Sequence, residues 1–540
     1  MVPLCPLLLA SAAAASAAMN STSFTISTST QQATPWAHHW EECVGSGHAA
    51  LTVRADWRAH LSRCRTELGV KRTRFHGLLD DDFDISLGEG HDDYVNLDDM
   101  VDFHLSIGME PLFEVSFTPS WLAINTSQTC THYKGITSPP RDMGKWGAVV
   151  QRMAAHLRAR YPTQAFMFEV WNEPNGGFWT PPSGNGSVPA TDAEKQAAYF
   201  ELYKSTADAL KNASGGAYLV GGPATAGCPG WAAELVAFGE ANNTAVDFIS
   251  CHAYGGGGKE IWSGNVEGVV GNLPAAQRGA AGRPVVLTEW SSSWMYTNLY
   301  HDDPASAAFI IATAAAMDGL LNASSYWTFS DVFEEGTLLP VPFHGGFGLL
   351  TVGGTPKPSY RAFQLLHGTG TERYDSAPAK GASSSDCLGN VGVLATTLSS
   401  AANASDARTM RVFVWNHPPT FAESPSAPCN VTVEFGAGGG SFGDRDPANG
   451  TRDGASDGAS DGATPIRTRM ARVDVGHANP MAAWTAMGSP TYPSPSQLAE
   501  LETASELVWE NVEQAGTPSL TAVVPAHGLV IYDLAFLSRA

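Results

Sequence analysis

The sequence predicts an α/β protein, a (β/α)8 TIM barrel followed by a C-terminal antiparallel β-sandwich domain. Three observations carry this. From about residue 36 to 370, eight short β-like runs alternate with longer helical patterns. No glycine-rich phosphate turn follows the first run, as an open doubly wound sheet would advertise. After residue 370 the apolar pattern changes to strict period two.

The first run is placed near Trp40 to Val44. Then come "VKRTRF" (Val70 to Phe75), "EPLFEV" (Glu110 to Val115), "AFMFEV" (Ala165 to Val170) and "AYLVGG" (Ala217 to Gly222). "VDFISC" (Val246 to Cys251), "PVVLTE" (Pro284 to Glu289) and "SSYWTF" (Ser324 to Phe329) complete the set. Between them, helical spacing puts Trp57, Leu61, Cys64 and Leu68 on one face. It does the same for Trp146, Val149, Val150, Met153 and Leu157. The apolar stretch Ala305 to Met317 reads as a core helix, too short to span a membrane.

In the region 371–540, "MRVFVWNH", "CNVTVEFG", "ARVDVG" and "LTAVVPAHGLVIYDL" read as sandwich strands. An insert at 436–464, rich in Gly, Asp and Ser, holds "DGASDGASDGAT" and has too little apolar surface to pack. Gly454 to Gly458 formally matches a nucleophile elbow. That motif needs a strand-turn-helix setting, which a polar repeat cannot supply. Seven cysteines follow the leader and none is spaced as CxxC, which argues against a zinc site. The odd count leaves at least one thiol unpaired. One or two disulfides are expected, with Cys387–Cys429 a candidate pair.

A formal net charge of -22 excludes a nucleic-acid partner, whose phosphates demand a basic surface. Residues 1–18 form an apolar run ending in small residues and read as a signal peptide, not a membrane anchor. Asn-x-Ser/Thr sequons at Asn20, Asn125, Asn185, Asn212, Asn242, Asn322, Asn403, Asn430 and Asn449 agree with it. Chance would give roughly three. The expectation is a glycoprotein of the secretory pathway, extracellular or lysosomal/vacuolar.

Function is read from two carboxylates. In such a barrel the reactive groups sit at the C-terminal ends of the strands. Glu173 lies just beyond the fourth run, in "FEVWNEPN", and Glu289 ends the seventh, in "LTEW". Strands four and seven lie nearly opposite, so the two carboxyl groups can face one another across the mouth. Glycoside hydrolysis needs that pair: one carboxyl protonates the leaving oxygen while the other attacks the anomeric carbon. A lone Glu at a strand end is commonly a cap or an ion-pair partner; two at these ends are not explained that way. No metal or nucleotide cofactor is required, and there is no HExxH or compact His/Cys cluster.

"FEVWNEPN", "SCHAY", "LTEW", "SYWTFSDVFEE" and "FHGGFGLL", in this order, resemble glycoside hydrolase family 39. The similarity runs from Trp40–Leu51 through Arg74–Asp82 to Gly354–Phe363 and resumes at Asn479–Leu498. The resemblance implies a retaining exo-glycosidase with Glu173 as acid/base and Glu289 as nucleophile. It implies substrate-binding roles for His76, Asn172, His252, Tyr254, Trp327, Glu334 and Glu335, with one of the last two touching ligand. Packing alone is the competing account of the two histidines and of Trp327. The motifs read closer to the β-xylosidase branch than to the α-L-iduronidase branch, which must hold a carboxylate with Arg or Lys. Lys259 is the nearby candidate for that role. Trp290-Ser291 stand where the xylosidase pattern has Tyr-Asn. A catalytically silent carbohydrate-binding protein is the alternative from another class.

Overall fold

The computed structural model of the chain describes residues 20–27, 33–184, 190–256, 263–379, 386–399, 407–418, 427–436, 465, 467–513 and 519–537. The leader, Lys259 and the repeat of the low-complexity insert lie outside them.

Eight parallel strands close into one barrel in chain order: β1 (Cys43–His48), β2 (Arg72–His76), β3 (Glu110–Val115), β4 (Met167–Val170), β5 (Leu219–Ala226), β6 (Phe248–Tyr254), β7 (Val285–Ser291) and β8 (Ala323–Tyr326). The predicted runs fall on these strands but slip by up to four residues at their ends. The first begins at Cys43, after a short 3-10 turn over His39–Glu41, and β5 to β7 extend further toward the mouth. Apolar content marks where a strand is buried. It does not mark where hydrogen bonding ends, because strand ends at a barrel mouth carry polar residues.

The helices lay one apolar stripe on the barrel. Trp57, Leu61, Cys64 and Leu68 of Ala55–Leu68 are buried, as are Trp146, Val149, Val150, Met153 and Leu157 of Met143–Arg160. Ala305–Met317 is buried almost all round, as a helix between barrel and sandwich must be. Among the described residues no helix is long and apolar enough to cross a membrane.

The second unit is a two-sheet sandwich. Its seven-stranded sheet is antiparallel, with the central strands Val391–Leu398, Ala407–Asn416 and Leu529–Leu537 flanked by Thr369–Tyr374 and Arg467–Val473. Alternation gives this sheet two buried faces. Val412, Val414, Tyr532 and Leu534 point into the sandwich, while Phe413, Leu529 and Ile531 join the barrel core. The four-stranded sheet departs from the expectation in one place. Its strand Ser21–Ser27 comes from the N-terminal side of the barrel and pairs parallel with Cys429–Gly436. The sandwich therefore draws strands from both sides of the barrel segment. Helices Pro480–Ala486 and Pro495–Ser505 return to the barrel, where Arg63 clamps Glu502 at 2.6 Å and Arg361 donates to Ser505.

Cys387 and Cys429 form the expected disulfide across the sandwich; Cys228–Cys251 is a second, and Cys43, Cys64 and Cys130 stay free. The Cys387–Cys429 bond spans 42 residues, so its removal releases chain entropy to the unfolded state. Replacing both by Ala is expected to lower stability by about 2–4 kcal/mol, read from the denaturant midpoint of the sandwich transition.

Candidate active site

At the C-terminal mouth of the barrel lies a cavity of about 520 Å3, lined by His76, Asn172, Glu173, His252, Tyr254, Glu289, Trp327 and Glu335 among others. Eight of the nine residues named from sequence therefore meet in one place.

Glu173 stands three residues past β4 on a strained turn, with Trp171 at φ 68° and Glu173 itself at φ 41°. Such a left-handed backbone costs energy in a non-glycine residue and persists only where neighbours over-determine it. Here they do. Glu173 N–H donates to the Ala224 carbonyl at 2.9 Å, Trp171 Nε1 donates to the Phe178 carbonyl, and Asn175 exchanges two hydrogen bonds with Ala226. The turn lifts the Glu173 carboxylate into the cavity, where its side chain is 19 % exposed. Glu289, near the end of β7, is 6 % exposed. One carboxylate oxygen of each, together with His252 Nδ1, lie within 4.8 Å of one another.

The two carboxylates have unlike partners. Glu289 accepts from Arg74 Nη1 at 2.6 Å and from the Tyr254 hydroxyl at 2.5 Å. Burial and the nearby carboxylates push the Tyr254 hydroxyl well above its usual range, so it stays a donor. Glu173 meets His252 Nδ1 at 2.8 Å. His252 Nε2 lies 3.5 Å from Arg74 Nη2, which can only donate, so the imidazole proton belongs on Nδ1 and is given to Glu173 Oε1.

Arg74, which the sequence reading passed over, organises the floor. It is fully buried on β2 and meets Glu169 Oε2 at 2.6 Å, Glu114 Oε2 at 2.7 Å, Glu289 Oε1 at 2.6 Å and Asn172 Oδ1 at 2.9 Å. Because the Asn172 oxygen accepts from Arg74, its amide N–H groups face the cavity. Ser116 and Thr288 supply the remaining donors to Glu114 and Glu169. The signal was available in period two: Arg72, Arg74 and His76 share one face of a strand, and His76 was already placed inside.

His76 joins Glu114 at 2.7 Å and Glu335 at 3.2 Å. Burial pulls its pKa down, but the two carboxylates override that and push it up to about 10. Glu335 is shifted upward, by burial first and by the Glu289 and Glu173 charges, with His76 opposing. Glu334, named with it, does not line the cavity. It turns away to His48 Nδ1 at 2.7 Å, and His48 Nε2 reaches Asp82 at 2.8 Å. Successive residues of a loop point apart, so one carboxylate enters the site and the other anchors the loop. His48 is raised to about 9, its two carboxylate partners outweighing burial.

Trp327 is 2 % exposed, with its ring 4.9 Å from His76, and it rests on Gly45, where a Cβ would fall 2.4 Å from the indole. A side chain at position 45 would push the indole into the cavity. Trp290 and Ser291 lie behind the site. Trp290 packs on Tyr326, Phe309 and Phe363, and Ser291 faces the Tyr326 hydroxyl. Their departure from the Tyr-Asn pattern belongs to the barrel wall and leaves the cavity lining untouched. The second disulfide joins the loop after β5 to β6 beside His252, steadying the partner of Glu173.

The raised imidazoles fix a pH dependence of stability. Both exceed the unfolded value of 6.5, so their contribution is full below about pH 6.5 and is lost as pH rises through 9 and 10. The urea midpoint is expected to fall over that window, and His48→Asn is expected to flatten the early part of the fall.

The model of glycosyl hydrolases family 39 matches residues 26–441, more than three quarters of the chain. The chain belongs to this family. It is a glycoside hydrolase. The family-39 chain is 36% identical over 497 residues to a β-xylosidase of Caldicellulosiruptor saccharolyticus, covering 88% of this chain and 89% of the relative. It superposes on a family-39 enzyme of Xanthomonas axonopodis pv. citri with a TM-score of 0.74 at 26% identity, covering 96% and 98% of the two chains. A monomeric β-xylosidase of Caulobacter crescentus gives a TM-score of 0.73 at 28% identity, covering 96% and 100%.

Proposed function

We propose that this family-39 enzyme is an exo-acting, retaining β-D-xylosidase that releases xylose from the non-reducing end of xylo-oligosaccharides or simpler xylosides. The reading is carried by one observation, the facing of Glu173 and Glu289 within 4.8 Å in one cavity at the barrel mouth. Retaining enzymes hold their carboxyl groups about 5–5.5 Å apart, whereas inverting ones leave room for a water, about 6.5–9.5 Å.

Glu289 attacks the anomeric carbon as the Glu173 proton passes to the departing oxygen, breaking the glycosidic bond and forming a glycosyl ester on Glu289. Glu173, now a carboxylate, takes a proton from water as that water attacks the same carbon and frees Glu289. His252 holds Glu173 in aim through both steps. Asn172 offers donors, and Glu335, held by His76, an acceptor, to the sugar hydroxyls. Positioning of this kind acts by removing orientational freedom before the reaction.

A neutral pentose suits the pocket because, among the described residues, no Arg or Lys lines it; Arg74 lies beneath the floor, paired with Glu114, Glu169, Glu289 and Asn172. A uronate would bring a carboxylate needing such a cation. The names and coverage of the two β-xylosidases above support the same choice. The secretory route is part of this proposal and rests on the leader and the sequons. Asn20, Asn125, Asn212, Asn242 and Asn322 are exposed and Asn430 is half-buried, open enough for a glycan. N-terminal sequencing and a mass shift on enzymatic deglycosylation of protein from a eukaryotic host test it.

The test of substrate is a parallel assay on an aryl β-D-xyloside and an aryl α-L-iduronide, with proton NMR of the first sugar released. Faster release from the xyloside, appearing first as β-xylose, is expected. Release from the iduronide alone overturns the sugar, and first appearance of α-xylose overturns retention.

A further inference from the structure

Outside the lining of the cavity, four side chains from three segments of the barrel mouth converge. His48 ends β1, Asp80 and Asp82 follow β2, and Glu334 stands on the loop after β8. One ligand atom each of His48, Asp80 and Asp82 lie within 4.8 Å of one another, and none of the three lines the cavity. The cluster uses no cysteine, and His48 is 34 residues from Asp82, so neither cysteine spacing nor a short motif marks it in the chain.

Charge does not balance here. Asp82 meets His48 Nε2 at 2.8 Å and Glu334 meets Nδ1 at 2.7 Å. One imidazole cannot neutralise three carboxylates, and among the described residues no Arg or Lys forms an ion pair with any of them. Asp80 is the group left over. It is 7 % exposed, and its Oδ2 is buried with no hydrogen-bond partner. A buried carboxylate oxygen without a donor is costly, so a partner that the side chains do not supply belongs against it.

That oxygen and the imidazole border the same small space. Gly77, at φ 68°, lies against both: a Cβ there would fall 2.3 Å from Asp80 Oδ2 and 3.5 Å from His48 Cδ2, the carbon bonded to Nε2. Tyr133 stacks flat on the imidazole, with ring centroids 3.9 Å apart and planes 3° apart, which fixes the direction of Nε2. Glu334 beside Nδ1 favours a proton on that nitrogen and leaves Nε2 to bind an ion. A carboxylate on the far nitrogen is the usual support of a metal-ligating imidazole. The side chain of Asp82, 48 % exposed, opens the cluster to solvent.

We propose that His48 Nε2, Asp80 and Asp82 form a cation site, with Glu334 as the outer carboxylate, and that it takes a divalent transition ion of the Zn2+ type. An imidazole joined to two carboxylates suits such an ion better than Mg2+ or Ca2+, which take oxygen ligands. The ion replaces the proton that Nε2 otherwise shares with Asp82. Its role is structural. It ties the ends of β1 and β2 to the loop after β8, where the next residue, Glu335, enters the cavity. The site is independent of which sugar the enzyme cleaves.

Glu173, His252 and Glu289 are a second cluster within reach of one ion, so the experiment separates the two. Untagged, chelator-stripped full-length protein is titrated with ZnCl2 by calorimetry as wild type, Asp80→Asn, Asp82→Asn and Glu173→Gln, and the melting temperature of each is read with and without Zn2+. The wild type is expected to bind one Zn2+ per chain and to melt higher with it. Affinity is expected to weaken by about tenfold or more in both Asp variants, while Glu173→Gln binds as the wild type does. The side chain of Asp82 is half exposed, so Asp82→Asn carries the test even where Asp80→Asn fails to fold. Unchanged binding in Asp82→Asn overturns the site, as does loss of binding in Glu173→Gln, which places the ion on the catalytic pair. A wild type that binds no Zn2+, or that binds Ca2+ more tightly in the same titration, overturns it as well.

Discussion

Replacing Glu289 by Gly is expected to lower kcat for an aryl xyloside by about 10⁵-fold, the scale seen when an enzyme loses its nucleophile. Azide then restores turnover by entering the space the side chain leaves, and the product is the α-xylosyl azide, inverted relative to the substrate. Glu173→Gly is expected to lose about 10²–10⁴-fold with a poor leaving group and far less with a dinitrophenolate, which departs without a proton. Azide in that variant attacks the glycosyl ester from the opposite face, and the product is the β-azide. The anomeric configuration of each azide, read by NMR, assigns the roles. An exchange of the two products would reverse the assignment of Glu173 and Glu289. The geometry argues for the order stated: Glu289 accepts from a guanidinium and a phenol, while Glu173 meets one imidazole and is the more exposed of the two.

The second large effect is on stability. Arg74→Met is expected to destabilise the fold by about 3–5 kcal/mol, because it leaves carboxylates buried without their cation. Glu114 and Glu169 are inaccessible and Glu289 nearly so, and all three meet Arg74 within 2.7 Å. The urea midpoint reads the loss. The activity that remains is also expected to fall, since the Asn172 amide is no longer oriented and Glu289 has lost a donor. Arg74→Lys is expected to recover only part of either property: an ammonium keeps the charge but cannot present the planar fork that reaches four partners. A midpoint within about 0.5 kcal/mol of the wild type would place Arg74 outside the supports of the barrel floor.

Much of this was legible in the chain. Runs of buried residues of strand length, separated by stripes at helical spacing, prescribe a βα alternation because each element must hide one face. The ends of the fourth and seventh runs carry Glu173 and Glu289 whatever the exact strand bounds, so slips of a few residues left the pair intact. Local turn chemistry was legible as well. "WNEPN" breaks the strand at Asn172 to Asn175, and the break is what turns Glu173 into the mouth.

Partners distant in sequence were not legible, because local periodicity says which face a residue takes and nothing about what it meets there. Arg74 and Glu289 are 215 residues apart, and Cys228–Cys251 had no marker to set it apart from other pairings of seven cysteines. Neighbouring loop residues are the same problem on a smaller scale. The sequence named Glu334 and Glu335 together; the positions of His48 and His76 separated them into an anchor and a cavity residue. The strand Ser21–Ser27 reads locally like any short polar-apolar run, and its parallel partner Cys429–Gly436 lies about four hundred residues away. Fold class and the catalytic pair follow from short-range pattern, which a chain carries residue by residue. The ion network, the disulfide partners and the choice of which carboxylate faces the sugar come from closure of the barrel, which alone brings those side chains within reach.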